Sequence, residues 1–504
     1  YSKRCTWNNI KKGKVKYLMS EANKSIKINV IWNAILSLSS IIFPFITFPY
    51  ITRVLGVEVN GIISFSSATI NYFSLFATLG LTTYGVKACA QVKDNSKELS
   101  KVVHELLMIS SVAAVIVLSL LYCLCFLIPQ FRECVKFIVV YSINIIGNVI
   151  GINWMYQGIE KYKYVTTRSI AFKIISILMM FLLVHDPKDG IWYAVVSVFA
   201  VAGGNLYNFI HARKYISFKR LDNYNWKRHI APLMILFATN LAVNVYSNLD
   251  TVMLGFIQND YATGIYTVAV KIKTILLTLV SSFSLVIMSR LSYVKTKQRV
   301  DNNQFLTILK KSYSVIVMIT IPLVIFFIMF AKESILILSG RDFIEAAEPM
   351  IVLMPTIVLS ALSQIIGSQY SVSIGKEKNL MIAVIGGAIM NVICNACLIP
   401  KYSYEGAAVG TLIAEFTQFF IQVFLALDMV RKVFSLKKIC QVVVCTLIST
   451  ILIKVGGFTE LFVAPIWNIM ICGCIFFGAY FLELYIAKFD ILYDMIKMIR
   501  TKIC

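Results

Sequence analysis

Charge is scarce in this sequence. Only 14% of its 504 residues are Asp, Glu, Lys or Arg, against 58% hydrophobic ones, a balance foreign to soluble domains. Acid is scarcer than base: 25 Asp and Glu face 48 Lys and Arg, for a formal charge of +23. Clustered, that excess would suit nucleic acid. Here the cations lie between apolar runs, so no nucleic-acid partner is expected. Histidine is nearly absent. His104, His185, His211 and His229 fall in loops or at the ends of apolar runs, and no metal-ligand cluster can be drawn from them. The 12 Cys offer none either, since most sit inside apolar runs. The CxxC string at Cys394 and Cys397 falls in one and reads as small packing residues. A Gly-rich loop ending in Lys-Ser/Thr is missing, so ATP does not drive this chain directly. No Ser-His-Asp set or carboxylate pair occurs in an exposed loop. Catalytic residues, metal and cofactor are therefore all expected to be none, and the chain does not read as an enzyme. A cleavable leader is not expected, because the first apolar run comes late and is too long. Met19 would make a natural start, and residues 1–18 are expected to be dispensable.

What the sequence has is apolar runs of about 20 residues, long enough to cross a hydrocarbon core of about 30 Å. They recur along the whole length. Fourteen spans are expected, giving an all-α polytopic membrane protein. With the N-terminus in the cytoplasm, 37 of the 48 Lys and Arg fall in inside segments and 8 in outside loops. That bias supports the span count and puts both termini inside. The longest outside loop, about residues 331–349, is too small for a catalytic domain. Pro44, Pro49, Pro322 and Pro355 fall within spans, where they kink helices. Gly203-Gly204 and Gly386-Gly387 permit close helix approach.

The chain repeats itself. In RVLGVEVNGIISF (residues 53–65) and DTVMLGFIQNDYATGIYTVAVKIK (250–273), an apolar segment ends at Leu-Gly, a polar hinge follows, and Gly-Ile opens the next. Leu55-Gly56 matches Leu254-Gly255, and Gly61-Ile62 matches Gly264-Ile265. Six spans separate the copies, so both enter the membrane with one orientation, as in a parallel repeat. The expected organisation is a basic cytoplasmic tail (1–26), an N-terminal lobe of spans 1–6 (27–212), a cytoplasmic linker (213–229), a C-terminal lobe of spans 7–12 (230–430), and spans 13–14 with a basic tail (431–504). Two pseudo-symmetric lobes of six helices would enclose a central cavity, and rocking them would give alternating access.

Ionisable groups inside a bilayer cost a few kcal/mol on insertion scales, so each needs a reason. Lys271 and Lys273 fall near mid-depth of span 8. Two positions apart, they cannot face the same way on a helix. Either could attract an anionic headgroup such as pyrophosphate, or hold an ion pair. Arg53 lies at the outer end of span 1, where its planar fork suits phosphate but where it could equally snorkel. Lys173 lies one turn inside span 5, facing a cavity mouth or snorkelling. Glu415 is the most deeply placed carboxylate, a site for a coupling proton or sodium ion or a partner for a cation. Asp250, ending span 7, is the other candidate. The string NWMYQGIE (153–160) closes span 4 as an aromatic interface belt, and Gln157, Glu160 and Arg168 are candidates for a cytoplasmic gate.

Several strings resemble the polysaccharide repeat-unit flippases of the Wzx type, in the wider group that includes multidrug/toxin extruders and lipid II flippases. They are KSIKINVIWN (24–33), FPYITRVLGVEVNGIISF (48–65), WMYQGIEKYKYVTTRSI (154–170), NLDTVMLGF (248–256), TGIYTVAVKIK (263–273) and IPKYSYEGAAVGTLIAE (399–415). The resemblance covers about residues 19–430; spans 13 and 14 carry little of it. It implies a two-lobed carrier moving undecaprenyl-pyrophosphate-linked sugar units to the outer leaflet of the bacterial inner membrane, for O-antigen or another surface polysaccharide. It also implies a cation-lined lumen onto which Arg53, Lys271 and Lys273 map, membrane lipid as surroundings, and a polysaccharide polymerase and chain-length proteins as partners. Three other readings compete. A multidrug exporter of the same fold would favour acidic lumen residues. A membrane polymerase or ligase needs a large outer loop. A scaffold without transport needs no buried cations.

Overall fold

The computed structural model describes residues 2–296, 302–457 and 465–493, and among them there is no strand. In hydrocarbon a helix is the one open-ended structure that satisfies its own backbone. The first helices in chain order are α1 Ser2–Thr78, α2 Leu81–Gln91, α3 Ser96–Leu127, α4 Pro129–Glu133, α5 Val135–Ile150, α6 Asn153–Gly158, α7 Tyr162–Leu183, α8 Gly190–Val198 and α9 Gly204–His211. A π-turn, Phe199–Gly203, joins the last two. The others are α10 Lys227–Ile257, α11 Asp260–Thr296, α12 Asn302–Met329, α13 Ala331–Leu338, α14 Ala347–Leu353, α15 Pro355–Gln364, α16 Glu377–Leu425, α17 Leu427–Val433, α18 Leu436–Val455 and α19 Pro465–Ile486.

Ten helical stretches are long and apolar enough to cross a membrane, or eleven if the pair 341–353 and 355–372, bent by 44° at Pro355, counts as one. The sequence reading expects fourteen. The difference lies in two long stretches and in α10. Ile35–Gln91 and Glu377–Leu425 each count once, yet both are broken, at Gly56 (φ 73°) and at Ser403 (φ 49°). The apolar part of α10 that can be measured is only Asn248–Ile257. Residues 494–504 of the basic C-terminal tail and most of the loop before span 14 lie outside the described residues.

Packing divides the chain into Tyr1–Thr47 with Ile70–Asn240, and Phe48–Thr69 with Leu241–Cys504. The repeat puts the lobe boundary at the connector. By packing, the first unit runs on to Asn240 and residues 48–69 belong to the second.

In the first unit, α6 is set against α2. A Cβ at Gly85 would run into the Trp154 ring, and one at Gly158 into Cys89 and the Val86 carbonyl. What turns the chain there is Ile152, fully buried in a left-handed conformation (φ 38°) that costs a β-branched residue strain. Trp154, Met155 and Tyr156 consequently enter a core with Leu99, Val103 and Leu106 of α3. They are not the interface belt that their aromatic content suggests.

In the second unit, the two legs of α16 form an antiparallel pair. Gly386 and Gly387 face Ile421 and Gln418, and Gly410 faces Asn395. The repeat copies also meet here. A Cβ at Gly61 would run into the Asp260 carbonyl, and one at Gly264 into the Val57 carbonyl. Between these glycines Ser64 Oγ donates to Thr267 Oγ1 at 3.3 Å, across a sequence separation of 203 residues. The same separation relates Gly61 to Gly264 and Val57 to Asp260. The crossing is therefore reciprocal, and a local twofold axis passes between Ser64 and Thr267. Glycine at the contact lets the two backbones touch.

Candidate functional site

The ionisable residues singled out by sequence fall into three environments. The first is a buried polar cluster in the second unit. Asp250 is 7% exposed and lies inside α10, which runs on to Ile257, rather than at a helix end. Its Oδ2 accepts from Tyr266 at 2.7 Å and from Thr411 at 2.5 Å, and its Oδ1 accepts from Asn395 at 2.6 Å. Asn395 reaches on to Asn391 Oδ1 at 3.2 Å. The cluster draws on α10, α11 and both legs of α16. Asn391 and Asn395 lie one turn apart, as do Thr411 and Glu415, so each leg presents one polar stripe. Asn395 Oδ1 and Asn391 Nδ2 are buried without a hydrogen-bond partner. Unpaired polar atoms in a polar pocket are rare in folded proteins. The hydroxyls of Tyr266 and Thr411 and the amide of Asn395 thus gather around the Asp250 carboxylate, a polar set that suits a hard monovalent cation or a proton.

The second environment holds the two lysines of α11, which the structure separates. Lys273 Nζ lies 3.6 Å from Glu415 Oε1, both side chains being largely buried. The Lys271 ammonium lies 5.6 Å from the centre of the Phe48 ring, and among the described residues it has no carboxylate partner. An aromatic face attracts a cation but leaves its charge uncompensated. In the first unit Lys173 Nζ donates to the hydroxyls of Ser39 at 3.1 Å and Ser40 at 3.0 Å.

The third environment is structural. Arg53 is exposed, but its guanidinium is occupied: Nη1 donates to the Pro49 carbonyl at 2.7 Å, and Nη2 to the carbonyls of Leu336, at 3.2 Å, and Ile337. The last two belong to the final turn of α13, whose C-terminal carbonyls attract a cation. Thr52 donates to the Leu338 carbonyl at 3.3 Å. Arg53→Ala is expected to lower the stability of the protein by roughly 1–2 kcal/mol. Thermal unfolding in detergent checks this, and an unchanged midpoint would leave the cap without weight.

No side-chain bond links the three gate candidates. Arg168 donates to the Gly204 carbonyl at 2.6 Å and to Asn153 Oδ1 at 3.2 Å, bracing α7 against α6 and α9. Glu160 pairs with Lys93 at 2.7 Å on the surface, and its hydrogen bond holds the Lys93 ammonium above the usual lysine range. Gln157 is half-buried at the end of α6.

Sequence reasoning missed Asn391, Asn395, Thr411 and Tyr266, since uncharged polar residues in an apolar run look tolerable singly. Their signal is the spacing of four. It also missed Glu105, the acid beside His104 in an apolar helix, which pairs with Arg228 and His229.

Comparison with known proteins gives four likenesses. A sequence family described as "Polysaccharide biosynthesis protein" matches residues 26–293. A protein of Escherichia coli (strain K12) named "Putative O-antigen transporter" is 25% identical over 403 residues, covering 79% of this chain and 95% of that protein. Among solved structures, the lipid II flippase MurJ in an inward closed conformation superposes with a TM-score of 0.74 at 17% identity, over 92% of this chain and 99% of that one. An inward-facing MATE family multidrug transporter superposes with a TM-score of 0.58 at 15% identity, over 81% and 100%. At those identities the structural likeness shows the fold alone, that of polytopic all-helical transporters.

Proposed function

We propose that this chain, which belongs to the polysaccharide biosynthesis protein family, is a flippase. Its substrate is an undecaprenyl-pyrophosphate-linked oligosaccharide repeat unit, carried by alternating access from the cytoplasmic to the outer leaflet of the bacterial inner membrane. Both termini are cytoplasmic, and a polymerase and chain-length proteins take up the product. The likeness to an O-antigen transporter supports the substrate class. The observation that carries the reading is Lys271, a cation in an apolar helix resting on Phe48 without a described carboxylate. An intramembrane charge left uncompensated faces a lumen or a ligand, and a pyrophosphate supplies the missing anion. Lys173, held by two hydroxyls, is a further cation, in the first unit. Arg53 contributes by fixing α13.

Of the two carboxylates considered for a coupling ion, Asp250 suits it better than Glu415. Glu415 is neutralised by Lys273, whereas Asp250 lies among neutral oxygens. A cationic drug substrate, the alternative on this fold, is disfavoured because the uncompensated charge is positive. Transport in proteoliposomes tests the reading, using a fluorescent undecaprenyl-pyrophosphate glycan and a cationic dye in parallel, with a sodium or a pH gradient imposed. The expected result is flipping of the glycan, no export of the dye, and loss of the response to the gradient in Asp250→Asn. Dye export without flipping would overturn the flippase reading. An undiminished gradient response in Asp250→Asn would remove Asp250 from coupling.

A further inference from the structure

The segment between α9 and α10 reads in sequence as a polar linker. In the structure it is bonded along one face of α3. Ser96, Ser100 and His104 recur every four residues and so form one stripe. Ser96 Oγ donates to the Tyr215 carbonyl at 3.3 Å, Ser100 Oγ accepts from the Ser217 N–H at 3.0 Å, and His104 Nδ1 meets the Tyr224 hydroxyl at 3.0 Å. Beneath these bonds Ala212 and Ile216 are buried against Leu99 and Val103.

The strap ends on Glu105, which is 1% exposed. Its Oε1 accepts from the Asn225 N–H at 2.5 Å. Its Oε2 accepts from Arg228, through Nη2 at 2.7 Å and Nε at 3.1 Å, and from His229 Nε2 at 2.8 Å. The other nitrogen of His229 meets the Tyr84 hydroxyl of α2 at 2.8 Å. One carboxylate therefore gathers the last residues of the connector and the first turn of α10. About six turns further along the same helix lies Asp250. The polar groups of this clamp play no part in the proposed substrate or ion sites. A buried carboxylate with every neighbouring donor aimed at it is a fixed point, because moving Arg228 leaves its charge uncompensated and moving a neutral partner leaves a buried oxygen short of a hydrogen bond.

We propose that Glu105 is a positioning residue: it pins the root of α10 to α3 and makes the connector a rigid strap, so that α10 moves by bending C-terminal to His229. Pro232 lies inside α10 one turn beyond this root, where a helix bends most readily. The role in transport rests on the flippase reading; the strap itself rests on the bonds alone.

Limited trypsin digestion of the purified full chain reads the strap, because Lys219 and Arg220 are exposed on it. Glu105→Gln keeps the shape and removes the charge. It is expected to speed cleavage after these two residues about tenfold or more, with other sites unchanged. In proteoliposomes its maximal flipping rate should fall at an unchanged half-saturating glycan concentration, and Glu105→Asp should recover part of the rate. Unaltered cleavage in Glu105→Gln would overturn the strap. Faster cleavage with wild-type flipping would overturn the positioning role. Should Glu105→Gln be degraded throughout, Arg228→Gln makes the same test, since its side chain is 41% exposed and its loss leaves the His229 bond in place. A wild type that flips nothing would defeat the flippase reading and leave the digestion result standing.

Discussion

Lys271→Met is expected to reduce flipping of the lipid-linked glycan by roughly two orders of magnitude without unfolding the chain. Methionine keeps the length and apolar stem of lysine, so packing against Phe48 survives. On the reading that Lys271 meets the pyrophosphate, what is lost is one charge-assisted contact to phosphate in a desolvated place. Removing such a contact costs about 2–4 kcal/mol, and 1.4 kcal/mol is a factor of ten. Lys273 supplies the control. It is paired with Glu415 at 3.6 Å, so Lys273→Met strands a buried carboxylate and is expected to destabilise the protein by roughly 3 kcal/mol. Adding Glu415→Gln should restore most of that stability. The two lysines are thus expected to fail differently: Lys271→Met in transport with a normal unfolding curve, Lys273→Met in stability with transport rescued by the second change. Initial flipping rates per folded protein, with thermal unfolding in parallel, decide between them. A wild-type rate in Lys271→Met would return that residue to a packing role.

The second large effect is expected at the Ser64–Thr267 crossing. Backbones that approach through glycine lie close, and a disulfide needs Cα atoms within about 7 Å. Ser64→Cys with Thr267→Cys should therefore oxidise readily, in a chain whose exposed Cys123, Cys397, Cys440 and Cys474 are replaced by serine. If alternating access separates the repeat copies there, the oxidised protein will transport at least about tenfold more slowly, and a reductant will restore it. Full transport by the cross-linked protein would show that the crossing stays shut through the cycle. The single-cysteine variants, treated alike, control for the oxidant.

The crossing was already half visible in the sequence. The paired Leu-Gly and Gly-Ile strings showed that the segments correspond, but correspondence does not say that they touch. The helical class and the fold were legible for a similar reason: hydropathy reports on solvent, and solvent dictates helices in lipid. Partners were another matter. Arg53 looked like a phosphate ligand because the carbonyls it binds are 283 and 284 residues away. Asp250 looked like a helix end because a charge usually closes an apolar run; its three neutral partners come from two other helices. Trp154 and Tyr156 looked like an interface belt because nothing in their composition announces the left-handed turn at Ile152 that buries them. The partners of Arg53 and Asp250 are contacts closed by the fold over long stretches of chain, whereas the burial of Trp154 and Tyr156 follows from one backbone turn. The chain-local features, such as the lysines two positions apart on different faces, could be anticipated.

The division of α1 between the two units bears on how the protein is made. Residues 48–69 leave the ribosome early, but the segment they pack with begins at Leu241, roughly 170 residues later. At 5–20 residues per second, that leaves on the order of 10–30 s in which the stretch around Gly56 and Gly61 is in the bilayer without its counterpart. Throughout that interval the Gly61 face is open to lipid or to whatever helix is nearest. The insertion machinery, or a chaperone working beside it, has that long to keep the first hairpin from settling on a wrong neighbour.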